Sequence, residues 1–200
     1  MLQEFVQAIK DSIKSELADV HTAMPGKIVS FDIATGLATV LPAMKFKKPD
    51  GSTMAFPQIT GVPVVFPQAN GMSATIAFPI KAGDGCLIIT AEESIDYWLY
   101  GHETDTSLQF DITNAICIPG LFNKANEAMA EACNNNAIVI KNGSSKIQIK
   151  SDEITLKSPK VTIDGNLDVK GTVKSDGDVQ GNGVSLENHT HSGDGEPPNK

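Results

Sequence analysis

The sequence predicts a mainly all-β chain: an N-terminal helix, an OB-like antiparallel β-barrel, then an intertwined trimeric β-helix or β-prism. Three observations predict it. Apolar residues recur at spacings of three and four over residues 2–20. Short runs rich in Val, Ile, Phe and Thr alternate with turn clusters over residues 26–122. From residue 137 onward, apolar pairs recur every six to nine residues. The implied domains are 1–25, an amphipathic helix; 26–122, the barrel; 123–136, a linker; 137–187, a trimeric shaft; and 188–200, an apex and tail.

Leu2, Phe5, Val6, Ile9, Ile13, Leu17 and Val20 make one apolar stripe along the predicted helix, with Gln, Glu, Lys and Asp on its other face. The stripe must bury against its own chain or against a partner. Pro25-Gly26 is the expected stop.

Strands are expected at 27–31 and 37–41 around an Ala34-Thr35-Gly36 turn, then at 63–66, 73–78, 86–90 and 115–118. Strands at this spacing indicate a small antiparallel sandwich or barrel, and a five-stranded barrel of the oligonucleotide/oligosaccharide-binding type fits the count. That fold hosts many functions, so it decides none. Residues 123–136 contain no β-branched residue and close on three asparagines, which reads as a short helical or irregular linker.

The repeat begins with Ile138/Ile140 and continues through Ile147/Ile149, Ile154/Leu156, Val161/Ile163 and Leu167/Val169 to Val173 and Val179. Gly165, Gly171, Gly177 and Gly183 follow at intervals of six. Each unit is a short strand with one apolar face and a turn, and it cannot bury that face alone. Two architectures satisfy this period. One chain coils on itself, as in hexapeptide β-helix enzymes, or three chains wind about one axis. A lone chain leaves its apolar face in water and its strand edges unpaired, which favours the trimer. The phase drifts at Val184 and Leu186, as expected where a prism closes into a tip.

Composition narrows the functions. The formal charge is −8, against the Lys and Arg excess that phosphate neutralisation needs. Aromatics are 6% of the chain, too few for stacking on single-stranded bases. Nucleic acid is therefore not an expected partner, and no small-molecule substrate is expected either. Cys86, Cys117 and Cys133 are odd in number and irregular in spacing, so no disulfide framework is implied, and the first two read as buried. This suits synthesis in a reducing cytoplasm. No run approaches the ~20 apolar residues of a membrane span, and the N-terminus does not read as a signal peptide. His102 beside Glu103 has no nucleophile or ligand at recognisable spacing and reads as a surface histidine.

The sharpest signal is His189-Thr190-His191. In an extended backbone residues i and i+2 point to the same side, so the two imidazoles face one point. One chain supplies two nitrogens; three chains on an axis supply six, enough for an octahedral shell. Imidazole suits iron, zinc, copper or nickel, and six-coordination disfavours zinc.

The run 61–67 (Gly-Val-Pro-Val-Val-Phe-Pro) follows a strand entered through 56–59 (Phe-Pro-Gln-Ile). The runs 78–85 (Phe-Pro-Ile-Lys-Ala-Gly-Asp-Gly), 94–99 (Ser-Ile-Asp-Tyr-Trp-Leu) and 116–121 (Ile-Cys-Ile-Pro-Gly-Leu) follow in order. As fold elements alone they read as turn glycines, strand-edge prolines and a buried Trp98. Taken together, the set resembles the N-terminal barrel of the central spike proteins of contractile phage tails. The segment 183–193, Gly-Val-Ser-Leu-Glu-Asn-His-Thr-His-Ser-Gly, resembles the apex of the same spikes. The resemblance implies that 83–85 turns the chain into a strand and that 96–99 starts a short helix or turn. It implies a homotrimer with one iron per trimer, held by His189 and His191 of each chain. It also implies hub and baseplate partners for the barrel, transient contact with the bacterial envelope membrane, and residence at the tail tip of a virion or phage-tail-like particle. The implied role is mechanical, without catalytic residues.

Two rivals remain at this stage. A trimeric receptor-binding fibre or adhesin is expected to carry a bulky C-terminal domain, and about nine residues follow His191. A hexapeptide-repeat transferase or metal hydrolase using His189 and His191 needs a further ligand or base, for which Glu187 and Asp194 are the candidates.

Overall fold

A computed structural model describes residues 2–18, 20–48, 50–102 and 108–188. In chain order the elements are α1 Leu2–Ala18, β1 Ala23–Asp32, β2 Leu37–Pro42, β3 Lys45–Lys47, β4 Thr53–Ala55, β5 Ile59–Pro63, β6 Gln68–Ala69, β7 Ala74–Thr75 and β8 Gly85–Thr90. Then come α2 Asp96–Tyr100, β9 Ala115–Pro119, α3 Glu127–Asn135, β10 Ile138–Asn142, β11 Ser145–Ile149, β12 Ile154–Lys157, β13 Gln180–Gly181 and β14 Val184–Ser185. The fold is mainly β, as the sequence predicts. The chain divides into two compact units, 1–127 and 128–200.

In the first unit five antiparallel strands form one sheet in the order β5-β2-β1-β8-β9. Burial alternates along β1 and β2 with the period of two that a half-buried strand requires. Met24, Ile28, Ala38, Val40, Ile59, Val62, Cys86, Ile88, Ala115 and Cys117 form the core. Burying each larger aliphatic among them stabilises the unit by about 1.5–3 kcal/mol. Register shifts between Ile28 and Ser30 of β1 and between Ala38 and Val40 of β2 add local twist and bend the strands. The sheet therefore curls into a half-barrel. Its two edges meet where Val64, just past β5, bridges Cys117 of β9 in parallel, and the Val65 N–H donates to the Cys117 carbonyl at 2.9 Å. This curled five-stranded half-barrel agrees with the mainly β, antiparallel part of the expectation.

Three local expectations are corrected. Pro25-Gly26 does not stop the helix. α1 is over by Ala18, and Pro25 and Gly26 lie inside β1, opposite Leu87 and Cys86 of β8. Glycine is needed there because a Cβ at Gly26 would lie 2.4 Å from Ile88 Cδ1. Residues 73–78 are not a barrel strand: only Ala74–Thr75 pairs, in a hairpin with Gln68–Ala69. Phe78 instead packs edge-on against Phe66, at 5.1 Å between ring centroids. The strand expected at 63–66 is β5, at Ile59–Pro63, which pairs with β2.

The second unit opens with α3, which ends where Asn136 takes a left-handed φ of 47° and the Ala137 N–H donates to the Ala132 carbonyl at 3.0 Å. β10, β11 and β12 follow as an antiparallel meander.

Candidate functional site

The meander is built by two tight connections. Asn142 pairs with Ser145 across Gly143-Ser144, with Gly143 at φ 59°. Ile149 pairs with Ile154 across a four-residue loop held by the Lys150 N–H donating to the Glu153 carbonyl at 2.9 Å. This register lines up two aliphatic ladders. Ile140, Ile147 and Leu156 stand side by side, as do Ile138, Ile149 and Ile154. Alternation puts all six on one face. Within the chain that face is uncovered: Ile138, Ile140, Ile147, Ile154 and Leu156 are 37–68% exposed. A continuous aliphatic face of this kind marks an interaction surface.

The opposite face carries Val139, Lys141, Lys146, Gln148, Thr155 and Lys157. Here the chain supplies part of its own cover. Lys146 Nζ pairs with Glu131 Oε1 of α3, and Gln148 is buried with its Nε2 donor unpaired. The sheet therefore has one face tied to its own helix and one aliphatic face left largely exposed among the described residues.

The aliphatic character continues downstream. Val161, Ile163, Leu167, Val169, Val173, Val179, Val184 and Leu186 are all exposed. Among the described residues, no strand lies between β12 and β13. β13 and β14 form a hairpin across Asn182-Gly183, both with positive φ, 50° and 80°. That is the Asn-Gly signature of a two-residue turn matched to strand twist. Asp178 clasps this hairpin: its Oδ1 accepts from Ser185 Oγ at 2.9 Å and from the Glu187 N–H at 3.3 Å. Burial opposes ionisation of Asp178, but these bonds and one from Gln180 together hold its carboxyl below the usual range. His189, His191 and Asp194 lie outside the described residues. Glu187 is described, and its N–H is bound to Asp178. Among the described residues, no three His, Cys, Asp or Glu gather closely enough to hold a metal.

The first unit offers little chemistry. Cys86 and Cys117 are buried, as expected, and neighbour each other inside the barrel, whereas Cys133 of the second unit is exposed. A hydrogen bond with Cys86, then burial, pushes the Cys117 thiol up, so it stays protonated and unreactive. His102 is exposed, as expected, and its ring lies 5.9 Å from that of Tyr100. Trp98 overturns its expected burial: it is 72% exposed. α2 is a five-residue helix with no buried residue, so its ring is held outside the core. A cleft of about 460 Å³ beside Gly26, Lys27, Gly85, Leu121 and Phe122 is lined by one cation and no acid or nucleophile. Among the described residues, no helix is long and apolar enough to cross a membrane.

The sequence reading located the aliphatic pairs but not their antiparallel pairing or the helix on the reverse face. The signal for the latter was present as the polar alternation Lys146, Gln148, Thr155 and Lys157. Residues 24–120 match the family model described as phage protein Gp138 N-terminal domain. The match spans β1 to the residue after β9 and supports a virion-associated structural protein of a phage. No curated protein matches the chain.

Proposed function

We propose that this phage structural protein is the membrane-piercing central spike of a contractile phage tail or phage-tail-like particle, working as a homotrimer. The observation that carries the reading is the exposed face of β10, β11 and β12, three strands wide and carrying six aliphatic side chains. Exposed apolar side chains continue beyond it to Leu186. Two further copies give these side chains an interior. The barrel engages the hub and baseplate, the second unit forms the shaft, and sheath contraction drives the tip through the host envelope. The protein transmits work and catalyses nothing. The described residues bring together no nucleophile, base and oxyanion donor, and the two buried thiols lie inside the core.

The donor set at the apex fits iron. His189 and His191 of three chains supply six neutral imidazoles, and six nitrogen donors suit a first-row metal other than zinc. The iron would pin chain ends that otherwise fray.

The test pairs mass in solution with elemental analysis. The spike reading expects a threefold mass and one iron per three chains. Replacing both His189 and His191 by Ala is expected to remove the metal and leave the trimer. A folded monomer without transition metal overturns the reading. Zinc at one per chain, with turnover of an ester or acyl substrate, replaces it with the enzyme.

A further inference from the structure

The hairpin of β3 and β4 forms an arm of its own. All its strand residues are exposed, and among the described residues it pairs with no other strand. An isolated two-stranded hairpin is at best marginally stable in water, so the arm gains from cover. Its register sets Phe46 opposite Met54, and these side chains are 41% and 51% exposed. The ladder runs on to Lys48, whose N–H donates to the Ser52 carbonyl at 2.8 Å. Alternation puts Lys48 on the same face as Phe46, and Lys45 and Lys47 on the other. The arm thus carries three lysines against Asp50 alone, in a chain of formal charge −8.

The complement lies on the same chain, at α2. Residues 91–102 hold Glu92, Glu93 and Asp96 and no lysine or arginine. The same stretch contains the chain's only tryptophan and both its tyrosines. Tyr97, Trp98 and Tyr100 are 54–72% exposed. Trp and Tyr are enriched at the energetic centres of protein interfaces, and a lysine ammonium is attracted to the face of either ring. Topology brings both patches to one end of the barrel. β2 ends at the start of β1, where the Ala43 N–H donates to the Pro25 carbonyl at 2.8 Å. β8 ends there too, with the Thr90 N–H donating to the Thr22 carbonyl at 2.8 Å. β2 and β8 flank β1 on opposite sides. The arm and α2 therefore leave the same end by different sides, so a rotation can set the arm of one copy against α2 of the next. Unlike patches that meet this way make a head-to-tail contact, which closes into a ring under cyclic symmetry. Anionic lipid is the poorer match: polybasic lipid-binding segments carry about four to eight Lys or Arg, and the net negative charge of the chain opposes such a surface.

We propose that the β3–β4 arm of one copy docks on α2 of the next. Phe46 and Met54 seat on the exposed rings, Lys48 reaches the acids of 92–96 from the same face, and Lys45 and Lys47 add to the attraction between the patches. The inference rests on the trimeric reading above and gives the first unit an assembly contact of its own, separate from the aliphatic sheet. Three such contacts use every arm and every α2 of the ring.

Trp98, as the sole tryptophan, reports on the contact directly. The test uses the full chain and measures two things on the same samples: mass by sedimentation, and acrylamide quenching of tryptophan fluorescence. The expected result is a threefold mass with quenching severalfold weaker than that of free tryptophan amide. Phe46→Ser with Met54→Ser, both at exposed positions, is expected to restore quenching to the free level, whether the mass stays threefold or falls. A threefold mass with Trp98 as quenchable as the free amide overturns this inference and leaves the spike reading standing. Protection that survives Phe46→Ser/Met54→Ser also overturns it, because something other than the arm then covers α2. A monomeric mass overturns both readings. A second readout tests the head-to-tail arrangement, in a chain with Cys133 replaced by Ser. Co-expressed Lys48→Cys and Tyr97→Cys chains are expected to give a covalent dimer with a short bismaleimide, while either variant expressed alone stays monomeric on a denaturing gel. No dimer from the mixture, or a dimer from one variant alone, overturns the arrangement.

Discussion

Ile140→Ser separates a sheet face that waits for partners from one that faces water. Ile140 stands in the ladder with Ile147 and Leu156 and is 61% exposed in the single chain. If two further copies cover it, assembly buries roughly three-fifths of a side chain whose full burial is worth about 1.5–3 kcal/mol, so about 1–2 kcal/mol per chain. Three equivalent sites sum to about 3–6 kcal/mol, or a factor of about 10² to 10⁴ in the trimer dissociation constant, at ~1.4 kcal/mol per tenfold. If the face stays in water, the change is a surface substitution worth about 0.5 kcal/mol or less. The assay is sedimentation over a thousandfold range of concentration, with thermal melting of the same samples. Dissociation at a concentration where the parent chain stays trimeric is the expected result. A mass distribution and melting temperature identical to the parent's refute the argument, because they mean that the ladder does not line an interface.

Acid should loosen the barrel's turns. The Ala34 N–H and the Thr35 hydroxyl, both at 2.9 Å, hold the Asp32 carboxyl below its usual range. Thr113 does the same for Asp111. A carboxyl depressed in the folded state contributes stability that is complete above its ordinary pKa of about 3.9 and is lost as pH falls through the folded value. The melting temperature is therefore expected to fall below about pH 4, and less steeply in the Asp32→Asn/Asp111→Asn variant; equal acid limbs reject the assignment. A thiol reagent is expected to titrate Cys133 alone in the native protein and all three cysteines after unfolding, with rapid native reaction of three thiols as the contrary result.

The barrel was legible because its signals are local. The runs that became β2, β8 and β9 are short, β-branched and bounded by Gly, Pro or Asn, and the core residues fall on alternate positions. Where tertiary contacts override local chemistry, the reading slipped. Pro25 and Gly26 look like a helix stop, yet they lie in a strand because β1 pairs there with β2 and β8, and Gly26 leaves room for Ile88. Trp98 looks like a core residue by composition, but a five-residue helix with no buried face cannot carry it inward. In the second unit, the spacing of the apolar pairs identified a single aliphatic face. It did not identify the pairing partner, because a period of six to nine residues serves a hairpin meander as well as a wound prism. The antiparallel choice is made by Gly143 at positive φ and by the Lys150 to Glu153 loop. The His189 and His191 site was read from sequence alone.

The meander also sets an order of events for the assembly proposed above. Its contacts join neighbours in sequence, across connections of two and four residues, and hairpins of this kind form in about 1–10 μs. Encounter between separate polypeptides at cellular concentrations takes far longer. In the proposed trimer each copy would therefore present a finished platform rather than a loose strand when it meets another. Joining would be the docking of preformed surfaces, second or third order in protein, and dilution would delay it without unfolding the first unit.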